Sequence, residues 1–463
     1  MKKIPEGTFV VIFGECISKF SYWGIQSILV IFLLKQYHLN KSDVFFIYGV
    51  TTTFGFASAF IGGVLGDKTA NIIFTVKLGI LYSIFGSMLL TLPDIYCFYI
   101  GIAFLVFGTG LISPNLDNLM AEIYRTKGQS SQGGYTILHG ATNLGALLSP
   151  VVFGVVGITY GYSYCFILCA LFYIIFLIFL FKISAFEKIP LNTKGNNIYL
   201  LFFIFPILIA LSFNYKILFQ LSLIGFGFYI LIVIMNHFYK ANTKTKWNIL
   251  LFLGSAIIVL IFYSFELQFN NSILIYAENF FKLTVFGIRI PTNMLTALEP
   301  FFVVLLTTPV TYFLVRGYNK SLPIKDRALL YVFALLCCAI GFYFISAPFG
   351  IETYQKQNLI WLILAALMIA ISDIILYPAT LSILGDKIAK SIRGQFIGCL
   401  YLTVSFSGYF SGKIATIATK EINSMPNVYY DFSKLFLILT CIIFMLYMFQ
   451  FIKKLSIVRL FNR

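Results

Sequence analysis

Along the chain, long apolar runs alternate with short polar, often basic, stretches. A helix rising 1.5 Å per residue needs about 20 mostly apolar residues to cross the hydrocarbon of a bilayer. Runs that qualify lie at 7–34, 43–66, 72–92, 96–120, 133–158 and 162–182. The polar stretch KISAFEKIPLNTKGNN follows, then runs at 197–214 and 217–238 and the basic stretch YKANTKTKW. Six more runs lie at 247–270, 288–315, 326–347, 358–384, 393–418 and 431–452. The pattern predicts an all-α integral membrane protein with fourteen spanning helices grouped six, two and six. The expected domains are 1–182, a six-helix bundle; 183–246, a linker with two extra helices; and 247–463, a second six-helix bundle.

Composition agrees. The chain has 463 residues, of which 60% are hydrophobic and 11% charged, with a mean hydropathy of +0.92. A soluble domain cannot give that much apolar surface polar cover. The net charge of +16 does not point to nucleic acid, because the basic residues sit in short loops without interleaved aromatics. With a cytoplasmic N-terminus, 22 of the 33 Lys and Arg fall on the cytoplasmic side, nine fall outside, and Lys19 and Lys77 lie within spans. That bias predicts both termini inside and an even number of helices. The expected location is a plasma membrane of the bacterial inner-membrane type. The eight Cys are scattered without CxxC or His pairing and read as small core residues. No metal or cofactor is implied. The first apolar run lacks a small-residue cleavage site and is expected to stay as the first helix.

Two six-helix halves joined by a cytoplasmic linker suggest the major facilitator architecture. GGVLGDK at 62–68, after the second span, is similar to that superfamily's loop motif GGxLADR. Its glycines allow close helix approach, and Asp67 and Lys68 are placed to pair at the cytoplasmic end and take part in gating.

The first run carries FGECISKFSYWG at 13–24, where Glu15, Lys19, Tyr22 and Gln26 follow at i, i+4, i+7 and i+11, along one helix face. A charge at mid-membrane costs about 2.5–3.5 kcal/mol on insertion scales, so two in one helix need a reason. One reason is an internal ion pair that serves packing. The other is a face lining a water-filled cavity, which is the reading taken here.

ECISKFSYWG resembles ExxERFxYYG, the first-helix signature of the proton-dependent oligopeptide transporter family. Glu15, Phe20, Tyr22 and Gly24 match, while Ser18 replaces the second Glu, Lys19 the Arg and Trp23 a Tyr. GTGLISPN (108–115) resembles GxGxxKPN, with Ser113 in place of Lys, and YTILHGATNLGA (135–146) resembles FYxxINxGS, with Asn143 and Gly145 kept. FYSFELQFNNSILIYAEN (262–279) resembles FWxxFEQxxSSLNLFADR and keeps Glu266. LTALEPFFVV (295–304) resembles FQSLNPLFVI with Glu299 for Asn, and SDIILYPATLS (372–382) resembles GELxLSPVGLS with Asp373 for Glu. A central extra helix pair is also usual for bacterial members.

The resemblance implies a symporter that imports di- and tripeptides with protons by alternating access, and no enzyme activity. It places Lys19 on the peptide carboxylate, as a point charge without the guanidinium fork. Asp373 and Glu299 fall at the amino end, and Tyr22, Trp23, Phe56, Asn143 and Ser382 along the cavity. Glu266 and Glu15 carry proton coupling. Pro114, Pro291, Pro300 and Pro378 read as kinks and gating points, although Glu299, preceding Pro300, has a plainer reading as a local hydrogen-bonding group. Glu15, Glu266, Glu299 and Asp373 around one Lys19 cannot all stay ionised in a low dielectric, so one of them must hold a proton. A site for a cationic substrate would look the same. A divergent member for another amine or amino-acid conjugate is the alternative. A membrane enzyme lacks any nucleophile motif or metal spacing here, a transporter-like sensor lacks a signalling domain, and GxxxxGK[ST] is absent. The expected partners are a small peptide, protons and lipid, and one copy of the chain is expected to suffice.

Overall fold

The computed structural model describes residues 7–69, 72–126, 132–182, 199–285, 287–316, 324–346, 356–387 and 390–461. The side chains of Asp67, Lys68 and Ser382, named above, lie outside the described residues. Fifteen α-helices are described: α1 Thr8–Gln36, α2 Lys41–Thr69, α3 Ile72–Leu89, α4 Ile95–Thr126, α5 Gln132–Thr159, α6 Tyr162–Lys182, α7 Tyr199–Asn214, α8 Lys216–Lys240, α9 Thr243–Glu266, α10 Ser272–Phe280, α11 Leu298–Arg316, α12 Ile324–Ser346, α13 Ile360–Lys387, α14 Lys390–Ala418 and α15 Met425–Phe461. Fourteen of them fall on the fourteen apolar runs. Helix is the outcome because lipid offers no partner for a backbone N–H or C=O, so each span must satisfy its own. Twelve spans among the described residues are long and apolar enough to cross a membrane. The shorter α7 and the Ser-, Thr- and Gly-rich α14 complete the set. Side-chain oxygens cap several helix starts: Asn40 Oδ1 accepts from Asp43 N, Asp94 Oδ1 from Cys97 N, Asn242 Oδ1 from Thr245 N and Asn358 Oδ1 from Ile360 N, all at 2.8–2.9 Å.

Two boundaries differ from the apolar pattern. The run at 247–270 does not continue as one helix. It stops at Glu266, turns through a 3-10 segment Leu267–Asn270, and resumes as the short α10. The run expected at 288–315 starts outside any helix. Strands β1 Thr284–Val285 and β2 Ile288–Arg289 form an antiparallel hairpin, with Gly287 at φ 80°, a conformation glycine takes without penalty. A 3-10 stretch Thr292–Ala297 then leads into α11. Hydropathy sees these residues as apolar but carries no information on backbone direction.

The chain divides into two compact units. The first holds Met1–Leu274, Ile290–Ala297 and Ala389–Ile417; the second holds Ile275–Arg289, Leu298–Ile388 and Ala418–Arg463. In the first unit a core of α1, α3, α4 and α6 packs Val10, Val11, Ile17, Val76, Ile112, Leu116, Tyr173 and Phe176 together. Between spans in lipid, close backbone approach replaces the hydrophobic effect as the source of association. The α2–α4 seam shows this: a Cβ on Gly62 would collide with the Gly110 carbonyl, and one on Gly110 with the Ser58 backbone. Asn115 is fully buried in the same seam and donates to Gly62 O (3.0 Å) and Leu111 O (2.8 Å).

The extra pair α7–α8 belongs to this unit. Phe205 stacks on Phe107 of α4, and the Tyr82 hydroxyl of α3 donates to Phe202 O at 3.2 Å. On α8, Phe219 meets Phe46 and Phe54 of α2 and Tyr409 of α14. At the two ends of α8, Lys216 pairs with Asp43 (3.7 Å) and His237 bonds Gln395 (2.7 Å). In the second unit, Ser372 of α13 donates to Ala334 O of α12 (2.7 Å), and Ser433 of α15 to Ala339 O (2.8 Å).

Candidate functional site

The polar face of α1 is turned inward. Glu15 is 4% exposed and its Oε1 lies 3.4 Å from Lys19 Nζ, one turn on. The Thr142 hydroxyl of α5 donates to the same oxygen at 3.2 Å. Glu15 Oε2 is buried and has no hydrogen-bond partner among the described residues. One and two turns further, Gln26 Nε2 donates to Tyr22 Oη and to Thr52 Oγ1 of α2, both at 3.1 Å. Trp23 stands edge-on to Tyr22 with centroids 5.2 Å apart. This face is tight because of Gly145 in α5: a Cβ there would run into the Cys16 carbonyl and come within 3.1 Å of Lys19 Cβ. Thr142, beside Asn143, reaches Glu15 only at that helix separation. Asn143 is itself half-buried on α5.

Two of the departures from the family pattern in this half touch each other. Ser18 Oγ of α1 and Ser113 Oγ of α4 are 3.3 Å apart and buried. The pattern has Glu at the first position and Lys at the second. Here a neutral hydroxyl pair occupies both, so the losses form one exchange. Pro114 lies inside α4, where a proline removes a helix hydrogen bond. One turn beyond Ser113, Asp117 lies within electrostatic range of Glu15 and Lys19, and Tyr401 of α14 within range of Lys19. Sequence reasoning passed over both. Asp117 carried a signal, since it is i+4 from a motif position and so on the same helix face.

Glu266 ends α9, buried at 7% exposure, with Tyr48 of α2 in electrostatic range. Phe56 of α2 packs its ring 6.4 Å from Tyr263, one turn before it. The backbone break after Glu266 is held by a buried polar cluster absent from the sequence reading. Gln268 Nε2 donates to Ser264 O (3.0 Å), Ser411 O (3.1 Å) and Ser411 Oγ (3.2 Å), while Asn271 Nδ2 donates to Ser411 Oγ (2.8 Å). Ser272 Oγ donates to Gln268 Oε1 (2.7 Å). Interrupted helices are tolerated at membrane depth where protein groups take up the freed backbone. These side chains supply that function and tie α9 to α14.

In the second unit, Glu299 is half-buried in the first turn of α11, where a carboxylate is favoured by the helix dipole. Pro300 follows in the same turn. No helical hydrogen bond is lost there, so it is not an interior kink, in contrast to Pro114 and to Pro378 inside α13. Asp373 is half-buried in mid-α13, beside the Ser372 that joins α13 to α12.

A family model described as the POT family matches residues 72–431. An uncharacterized transporter YclF of Bacillus subtilis is 23% identical over 444 residues, covering 91% of this chain and 89% of its own length. Dipeptide and tripeptide permease B of Aliivibrio fischeri is 24% identical over 439 residues, covering 90% and 87%. A POT family transporter solved in complex with 5-aminolevulinic acid matches with a TM-score of 0.84 at 18% identity, over 95% of this chain and 96% of that one. The fold is thus the major facilitator fold with an added central helix pair. With a family match running from the start of α3 into α15, the chain belongs to the POT family.

Proposed function

We propose that this protein is a secondary transporter that imports di- and tripeptides together with protons. The observation that carries the reading is the Glu15–Lys19 pair: a half-buried cation held by a buried carboxylate, one of whose oxygens has no partner among the described residues. Lys19 is the anchor for the substrate carboxylate, and Glu15 takes a proton when Lys19 leaves it. Asp373 and Glu299 receive the amino group, and Tyr22, Trp23, Phe56, Asn143 and Ser382 line the path. Glu266 couples the cycle to protons, while Asp67, Lys68, Pro114, Pro300 and Pro378 serve gating. The bundles 1–182 and 247–463 rock about the site by alternating access, with 183–246 riding along. The chain works as a monomer in the bacterial inner membrane, with both termini cytoplasmic. Relatives named as dipeptide and tripeptide permeases support the substrate class.

The test is uptake into proteoliposomes under an imposed inward proton gradient. Di- and tripeptides should accumulate, and Glu266→Gln should retain counterflow while losing gradient-driven accumulation. Accumulation without a gradient, or by Glu266→Gln under one, would defeat the coupling assignment. A second reading, transport of another amine or amino-acid conjugate, is favoured by the neutral Ser18–Ser113 pair and the added acid Glu299. Free amino acids, polyamines and 5-aminolevulinic acid in the same panel separate the two.

A further inference from the structure

The described charges around Lys19 do not balance. Glu15 and Asp117 are two carboxylates within range of one ammonium, that of Lys19. Glu15 already holds it at 3.4 Å. Ser113 touches Ser18 of α1, so Asp117, one turn along α4, lies on the side of α4 that faces α1. Odd and even spans cross in opposite senses, so one turn onward in α4 is one turn back in α1, towards Glu15. The described elements packed on α4 are α1, α2, α3, α5 and α7, and of their described charged groups Glu15 and Lys19 act on Asp117. Tyr401 of α14 faces Lys19.

Asp117 differs from Glu15 in access. Glu15 is almost completely buried, whereas Asp117 is exposed. A carboxylate on the inward face of a bundle that is still exposed borders space open to water. Its neighbour Glu15 keeps Oε2 buried, with no hydrogen-bond partner among the described residues. Water access at one carboxylate and an unfilled acceptor at the other are independent observations of the same cluster.

We infer that Asp117 is a further proton-binding residue of the transport cycle, acting through Lys19. Ionised, Asp117 competes with Glu15 for the ammonium. A proton taken from water onto its carboxylate ends that competition and leaves Lys19 to Glu15 or to an incoming carboxylate. Each carboxylate a substrate brings to Lys19 adds one negative charge to the cluster, and a proton on Asp117 restores the balance. The inference rests on the proton-coupled reading above, which assigns Asp117 nothing.

The first measurement needs no substrate. Infrared difference spectra of the full chain in lipid, between neutral and acid buffer, should show a carboxylic acid carbonyl band. One component of that band should be lost in Asp117→Asn and kept in Asp117→Glu and in the same-face control Ser113→Ala. The second measurement is transport in proteoliposomes. Asp117→Asn should lose gradient-driven accumulation and retain counterflow, with Asp117→Glu restoring accumulation. A band unchanged in Asp117→Asn overturns the inference, as does full gradient-driven accumulation by that variant. If the wild type itself accumulates no peptide, the proposed function fails, while the infrared band still decides whether Asp117 binds a proton. Failure of Asp117→Asn to fold leaves Asp117→Glu to decide. Its longer side chain should keep the band and shift the pH at which it appears, and an unshifted band overturns the inference.

Discussion

Helices α1 and α8 look alike as strings of letters: 29 and 25 residues, both rich in Ile, Leu, Val and Phe, both with Tyr and Ser scattered through them. Their surroundings are opposite. Of the spanning stretch of α1, 78% is buried in the protein; of α8, 17%. The few polar groups of α1 form an ion pair within the helix and hydrogen bonds to α2, α4 and α5. The contacts of α8 are aromatic edges along its length and polar links at its two ends. In a bilayer both lipid and protein interior are apolar, so total hydrophobicity does not tell which helix carries chemistry. The mid-span charges do.

The largest effect should come from breaking the α1 side of that comparison. Lys19→Ala leaves Glu15 buried without its cation. Loss of the cation that pairs with a substrate carboxylate costs about 2–5 kcal/mol, roughly thirtyfold to several-thousandfold in half-saturating concentration for a peptide with a free carboxylate. An amidated peptide should lose far less. Equal losses for both would make Lys19 a packing residue. A smaller effect is expected from Gly145→Ala, whose new methyl meets backbone at Cys16, which cannot step aside. Overpacking of this kind costs about 1–3 kcal/mol, read as a lowered unfolding temperature, with Ala substitution at the open Gly225 of α8 as the neutral control. The smallest effect belongs to the lipid face of α8. Leu221 and Phe228 are 56% and 61% exposed, and Leu221→Ala or Phe228→Leu should stay within about 0.5 kcal/mol with uptake unchanged. A transport defect there would mean that α8 does more than pack.

Much of the architecture was legible because the bilayer permits few solutions. Fourteen apolar runs became fourteen helices, and the i, i+4, i+7, i+11 spacing from Glu15 to Gln26 does form one hydrogen-bonded face. What escaped was local backbone. The break after Glu266 is dictated by Gln268 and Asn271 finding Ser411, 143 and 140 residues away, and no window along the chain contains both sides of that contact. The late start of α11 escaped for a related reason, since Ile288, Pro291 and Leu295 count as apolar whether in hairpin, 3-10 turn or helix. Asp117 escaped because it lies beyond the end of the GTGLISPN motif, although helix geometry continues the motif's face by another turn. Ser18 and Ser113 were seen as two separate losses, and only the fold shows them as neighbours.

The Glu15–Lys19 pair has an electrical consequence. Both charges ride on one helix, one turn apart, so any tilt of α1 carries them as a neutral body. A lone charge moved across the membrane would feel about 2.3 kcal/mol for every 100 mV of potential, whereas this pair feels close to none of it. The resting voltage of the cell therefore has little grip on the movement of the empty helix. Any voltage dependence of the protein's movements must enter through charges other than this pair.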